Sequence, residues 1–404
     1  MYAARWRITS YIYPDPFGFL RIITSPDTWR IPQLELASGP TPGIQSQTLT
    51  EPPRPIPIRP SACARILAVL ALAAFGVSLR AAAPAAIEPG AIWMDDRNRP
   101  IQAHSASITR ENGIYYWFGE DRTEGQPPLA RRVACYASAD LLHWTFRGEA
   151  ADFSDPEHLG SDWVLERPHV YCSAGGAPYV MYLHVDGRVN GNNGPYGNYS
   201  LAHVGIAVAD RIEGPYHYRG SFRPLGRESR DIGQFVDDDG TAYLIFEDRP
   251  LGVHIARLTA DHLAVEREVC LLPRHLEGFG LVKIGGLYYF AGSQLTGWAP
   301  NSNLYATARS LAGPWSEFRD LAPPEAKTYR SQVSMLLKVQ GTGGTTVVYM
   351  GDLWNPSRLW ASGYLWMPVE VAGGRLFLPA PRPWTLDPVT GLATVGAKSP
   401  EAGR

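Results

Sequence analysis

Five short clusters carry the residue types that could do chemistry: "IQAHSASI" (101–108), "VLERPHVY" (164–171), "ESRDIGQFVDDDG" (228–240), "HLEGFGLVK" (275–283) and "YRSQVSML" (329–336). In each, a charged or amide side chain leads into an apolar, strand-like run, so Gln102/His104, Glu166, Asp231, Glu277 and Gln332 hold comparable places. Taken singly, each is more simply a solvated surface group, and Asp237 to Asp239 suit an exposed turn. Recurrence changes that. Acids and amides brought to one axis destabilise a fold unless paired or hydrated, and a polar funnel supplies the water. Carboxyl groups facing each other across such a funnel suit glycoside hydrolysis, where one protonates the leaving oxygen and another group activates water on the opposite face. Tyr196, Trp298 and Trp354 are placed to stack on sugar faces, or equally to pack as ordinary aromatics.

The elements that must position these clusters also repeat. An aromatic-rich strand ending in polar residues recurs as "IYYWFGEDR" (114–122), "PYVMYLHVD" (178–186), "AYLIFEDR" (242–249), "LYYFAGS" (287–293) and "TVVYMGD" (346–352). Several copies are followed by a second signature of small and apolar residues, a turn and an aromatic, as in "CYASADLLHWT" and "GIAVADRIEGPYHY". Copies about 45 to 65 residues apart fit four-stranded propeller blades with loop insertions, and no amphipathic helix interrupts them. A β-sandwich also suits strands with frequent turn signals, but the two-part repeat favours an all-β, five-bladed propeller over residues 87–392. Innermost strands then aim distant polar residues into one funnel, as a glycan site requires.

Composition narrows the function class. Lys and Arg (37) nearly balance Asp and Glu (39), without a basic, aromatic-interleaved patch, so nucleic acid is not expected as a partner. Residues 1–62 are Pro-rich and lack an apolar period, and are expected to be an irregular extension, disordered or cleaved, or the product of a mis-assigned start. Arg59 and Arg65 then precede an apolar run from Ile66 to Leu79 and a group of small residues, so 63–86 has the form of a secretory signal. The run ends at Arg80, short of the ~20 residues a spanning helix needs. A secreted or periplasmic mature protein without a membrane anchor is the expectation, with 393–404 as a C-terminal tail. Of the four cysteines, Cys63 would leave with the signal; Cys135, Cys172 and Cys270 lack metal-ligand spacing and suit small buried apolar positions.

With "QAHSASI" before "YYWFGED", "ERPHV", "SRDIGQFVDDDGTAYLIF", "EGFGLVKIGGLYYFAGSQLTGWAPN" and "YRSQVS", residues 90 to 390 resemble glycoside hydrolase family 43, and within it the exo-β-1,3-galactanase branch. The resemblance implies a secreted enzyme that removes galactose from the end of β-1,3-galactan with inversion. It implies Glu277 as general acid and Asp231 as the carboxylate that tunes it and orients the sugar. Gln332 matches a glutamine that holds the water, or deprotonates it as the imidic tautomer, while Glu166 resembles a substrate-binding acid that also qualifies as base. An unassisted amide is a very poor base, so Gln332 and Glu166 both stay open for that role. Glu120 resembles the residue that binds the galactose hydroxyls, including the axial one, and Asn190, Tyr196, Thr296, Trp298 and Asn301 would line the same pocket. The first-blade aspartate common in the family is replaced by "IQAHSAS", where Gln102 and His104 are expected to bind substrate. A second departure is Gly278-Phe279 where relatives tend to have Ala-Pro. No catalytic metal or cofactor is implied, and a structural calcium at the axis is left open. The alternatives are an α-L-arabinofuranosidase or β-xylosidase of the same fold, or a propeller that binds glycans without cleaving them.

Overall fold

Each aromatic run becomes the second strand of an antiparallel sheet, and each polar cluster becomes, or directly precedes, the first. In this computed structural model residues 86–126, 131–154, 163–173, 176–189 and 198–396 are described. The expected extension and signal segment, up to residue 85, lie outside the described residues, as does the tail from 397 onward. Blade 1 is β1 (His104–Glu111), β2 (Ile114–Glu120), β3 (Arg132–Ser138) and β4 (Thr145–Asp152). Blade 2 is β5 (Val164–Ser173), β6 (Gly176–Asp186), β7 (His203–Ala209) and β8 (His217–Phe222). Blade 3 comprises β9 (Ile232–Val236), β10 (Ala242–Asp248), β11 (Gly252–Leu258) and β12 (Val265–Leu272), and blade 4 comprises β13 (Leu276–Ile284), β14 (Leu287–Gln294), β15 (Leu304–Ala308) and β16 (Arg319–Asp320). The fifth blade has three strands where four are expected: β17 (Gln332–Gln340), β18 (Thr345–Leu353) and β19 (Gly363–Pro368). The edge of β19 is met instead by the N-terminal segment, where the Gly90 N–H donates to Tyr364 O at 2.7 Å.

The first strands touch in the order β1, β5, β9, β13, β17 and back to β1, which closes a five-bladed propeller. Closure between blades 5 and 1 is aromatic and polar. Trp117 of β2 packs on Trp366 (ring centroids 4.5 Å) and Tyr364 (4.9 Å) of β19. Full burial of such side chains contributes roughly 1.5–3 kcal/mol each. Among the described residues Cys135, Cys172 and Cys270 are free thiols; Cys135 is buried as expected, whereas Cys172 and Cys270 are only half-buried. No helix of the described residues is long and apolar enough to cross a membrane.

A recurrent irregularity aims the first strands at the axis. The β1–β2, β5–β6 and β13–β14 registers each slip next to the key polar residue, between His104 and Ser107, Glu166 and His169, and Glu277 and Phe279. Inside each slip one residue has positive φ: Ser105 (53°), Arg167 (51°) and Gly278 (57°). Such bulges bend a strand and re-aim a side chain. At Gly278 the requirement is also steric, because a Cβ there would lie 2.3 Å from Val333 O. The departure from Ala-Pro after Glu277 is thus accommodated by a left-handed backbone that favours glycine.

Candidate active site

The axis opens into a cavity of about 380 Å³ whose wall includes Glu120, Glu166, Asp231, Glu247 and Glu277, together with Arg122, Arg167, His184, Arg230 and Arg249. Five acidic and five basic groups in one sugar-sized space form a network rather than a set of isolated charges. Arg167 is its hub: Nε lies 2.7 Å from Asp231 Oδ2, Nη2 donates to Gln332 Oε1 at 2.9 Å, and the backbone N–H donates to Glu120 Oε1 at 3.1 Å. Gln332 Oε1 also accepts from Trp354 Nε1 (2.9 Å), and Gln332 Nε2 donates to Glu277 Oε1 (3.0 Å). With two donors on its oxygen, the amide has one sensible orientation. Asp231 Oδ2 accepts the Gly278 N–H at 2.8 Å, tying Asp231 to the residue that follows Glu277.

The network separates the protonation states of two carboxyls. Burial, then the charges of Asp231 and Glu247, push Glu277 up to about 8 against the opposing Arg167 and Arg249, so it holds its proton at neutral pH. Burial would also raise Glu166, but the His184 hydrogen bond and charge, with Arg122 and the Tyr199 hydroxyl, hold it at about 2. Tyr199 OH donates to Glu166 Oε1 at 2.9 Å. Two carboxyl groups with opposed protonation in one cavity are the arrangement needed for an acid and a base.

His184 lies among Glu166, Asp231 and Asp186, Nδ1 at 3.2 Å from Glu166 Oε2 and 3.6 Å from Asp231 Oδ1, Nε2 at 3.1 Å from Asp186 Oδ2. Burial opposes its protonation, yet Asp186 and Glu166 push it up to about 10. Glu166, His184 and Asp231 offer ligand atoms within 4.8 Å of one another, the spacing of a cation site. A metal, however, needs the neutral imidazole. In the absence of a metal the protonated ring supplies the positive charge between Glu166 and Asp231, so a ring proton and a bound cation would satisfy the same donor set in alternation. A folded-state value above the ordinary 6.5 contributes stability that is complete below pH 6.5 and lost as pH rises through about 10. Glu277 adds a decline of its own between 4.5 and about 8. The diagnostic comparison is therefore His184→Gln against wild type above pH 8: urea midpoints of the wild type should keep falling toward pH 10 while those of the variant flatten. Parallel curves would remove the charge from His184.

The residues expected from sequence divide into three groups. Glu120, Glu166, Asp231, Glu277, Trp298 and Gln332 share the cavity wall, joined by Trp354, whose ring meets Trp298 edge-on at 5.3 Å. Gln102, His104, Thr296 and Asn301 do not line it, which corrects their placement. Gln102 Nε2 donates to Trp360 O (2.9 Å), and the fully buried His104 sets Nδ1 3.2 Å from Asp352 Oδ1, so both fasten blade 1 to blade 5; Ser105 takes the wall position. Thr296 Oγ1 donates to Ala299 O, and Asn301 binds Ser293 and Gln294, bracing the loop that carries Trp298; Asn301 faces an adjoining cavity. Asn190 and Tyr196 lie outside the described residues.

Arg122, Arg167, His184, Tyr199, Arg230, Glu247 and Arg249 were not anticipated. A signal for part of this set existed. In blades 1, 2, 4 and 5 a polar residue near the end of the second strand pairs across the ladder with a polar residue near the start of the first: His104 with Glu120, Glu166 with His184, Glu277 with Ser293 and Gln332 with Asp352, whereas blade 3 sets Ile232 against Phe246. Cross-strand partners share a face, so a wall residue on one strand implies one on the next.

Comparison with known proteins follows the same line. The family described as glycosyl hydrolases family 43 matches residues 98–354. The crystal structure of an exo-β-1,3-galactanase from Phanerochaete chrysosporium with β-1,3-galactotriose is 36% identical, with a TM-score of 0.70 over 77% of this chain and 70% of that one. An exo-β-1,3-galactanase from Clostridium thermocellum is 32% identical, with a TM-score of 0.69 over 77% and 68%. An extracellular endo-α-(1→5)-L-arabinanase of Bacillus subtilis is 22% identical over 281 residues, and this chain spans 54% of its length.

Proposed function

The chain belongs to glycosyl hydrolases family 43, and from that premise we propose that it is an exo-acting β-1,3-galactanase, releasing galactose from the end of a β-1,3-galactan chain with inversion. The observation that carries the reading is the pairing, in one cavity, of a proton-bearing Glu277 with an ionised Glu166. Similarity to two exo-β-1,3-galactanases above 30% identity supports the substrate. In this reading Glu277 gives its proton to the glycosidic oxygen as the anomeric C–O bond breaks. Water adds its oxygen to that carbon from the opposite face and passes a proton to Glu166. Galactose and the shortened chain leave, and the two carboxyls exchange the proton through solvent.

Gln332 acts by position. Its Oε1 accepts from the Arg167 cation and from Trp354, so a proton on that oxygen, as the imidic form requires, would face two donors. The same contacts hold Nε2 against Glu277, which keeps the acid oriented. Glu120 and Trp298 are left to hold the terminal sugar by its hydroxyls and face.

The test is incubation with β-1,3-galactan, following products by proton NMR. Galactose should appear first as the α-anomer. Initial β-anomer would overturn inversion, mid-chain oligosaccharides would overturn exo attack, and turnover confined to arabinoside or xyloside aryl glycosides would transfer the protein to the alternative substrate class.

The proposal extends to export. Cleavage after the small residues that follow the apolar run should leave a mature N-terminus between about Ala81 and Glu88. N-terminal sequencing of secreted protein checks this, and an intact Met1 in cytoplasmic material would contradict it.

A further inference from the structure

Strands β2 and β10, on non-adjacent blades, run out into the same local pattern: Glu120-Asp121-Arg122 and Glu247-Asp248-Arg249. In both the glutamate is buried, 3% and 1% exposed. In both the arginine two residues on folds back to bond it, Arg122 Nε to Glu120 Oε2 at 3.0 Å and Arg249 Nε to Glu247 Oε1. Both pairs line the cavity. The blade 1 pair sits beside Glu166, with Arg122 Nη2 3.9 Å from its Oε1. The blade 3 pair sits on the flank of the acid: the Glu247 N–H donates to Asp231 O (2.9 Å), Arg230 N donates to Glu247 O (3.0 Å), and the Asp231 carboxylate accepts from Gly278 N.

A buried ion pair is a weak contributor to stability, since well-packed apolar residues in its place are often neutral or better. Its presence in the wall of a sugar-sized cavity calls for another reason. A carboxylate held against a guanidinium offers an acceptor and a donor side by side, which matches two neighbouring hydroxyls of a pyranose ring. A site built to bond a hydroxyl rejects the analogue lacking it strongly, because the buried polar group is left unpaired.

We propose that Glu247 and Arg249 form a second hydroxyl clamp on the terminal sugar, a repeat-derived copy of the Glu120–Arg122 clamp that grips a different part of the same ring. The clamp rests on the galactanase reading for the identity of the sugar. Two such clamps on separate blades fix the ring at two edges, so selectivity for the sugar becomes a joint property of blades 1 and 3.

The experiment is a kinetic panel on galactobiose and its four analogues lacking the 2-, 3-, 4- or 6-hydroxyl of the non-reducing galactose. Wild type is compared with Glu247→Gln, Arg249→Met and Glu120→Gln. Arg249 has a side chain 28% exposed, so its variant is the one best placed to fold if loss of a buried charge harms the others. In wild type, deleting a clamped hydroxyl should cost about 10-fold or more in kcat/KM. In Glu247→Gln and Arg249→Met the penalty for one deletion should fall to within about 2-fold of unity while the other penalties persist. Glu120→Gln should erase the penalty at a different position. A merely structural pair would scale every substrate alike, and that result overturns the clamp, as would both glutamate variants erasing the same penalty. If wild type leaves galactobiose intact, the substrate assignment fails separately, and the same comparison on deoxy forms of the aryl glycoside that is cleaved decides the clamp.

Discussion

Glu277→Ala should lower hydrolysis of galactobiose by about 10²–10⁴-fold while sparing most activity on a dinitrophenyl β-galactoside, provided the aryl group fits the outer part of the cavity. The difference lies in the leaving group. A sugar alkoxide departs badly without a proton, whereas dinitrophenolate needs none. Glu277 can supply that proton at neutral pH because burial, Asp231 and Glu247 raise it to about 8, so wild-type activity on galactobiose should also fall as pH rises through that value. Glu166→Ala should damage both substrates, since water must be activated whichever group leaves, and Gln332→Ala should do likewise through the lost orientation of acid and water. The comparison is the ratio between substrates within each variant, because effects of residues acting together do not add. Equal losses on the two substrates for Glu277→Ala would return it to a binding role.

The second large effect is expected at Arg167. Its side chain is 6% exposed and engages Asp231 and Gln332, while its backbone N–H holds Glu120. Removing one member of a buried pair strands the other, at a cost of roughly 3–5 kcal/mol. Arg167→Met should therefore lower the urea midpoint markedly and reduce kcat/KM on galactobiose. Arg167→Lys should rescue little, since a single ammonium cannot reproduce the forked contacts to Asp231 and Gln332. Loss of this cation should also move the alkaline limb of the pH profile upward, because Arg167 favours ionised Glu277. A variant that unfolds and titrates like wild type would show that the hub carries no weight.

The sequence by itself determined the blade repeat and the convergence of four candidate site positions. Alternation along strands such as "IYYWFGE" and "LYYFAGS" is local, with a period of two imposed by the pleat, so it is legible wherever one face is buried. Five similar units must share an axis, which brings Glu166, Asp231, Glu277 and Gln332 together whatever the loops do. Tertiary structure alone decided which neighbour within a cluster faces that axis. At "QAHSAS" the bulge at Ser105 and the contact of His104 with Asp352 turn the histidine into the ring closure and leave Ser105 on the wall. A shift of one residue reverses every side chain of a strand, and bulges are not written in a hydrophobic pattern. The contacts of Arg167 with Gln332 and of Tyr199 with Glu166 were equally hidden, because they join residues 165 and 33 positions apart. So were the opposed protonation states of Glu166 and Glu277, which depend on burial and on charges a few ångströms away, quantities that exist only once the five blades have closed.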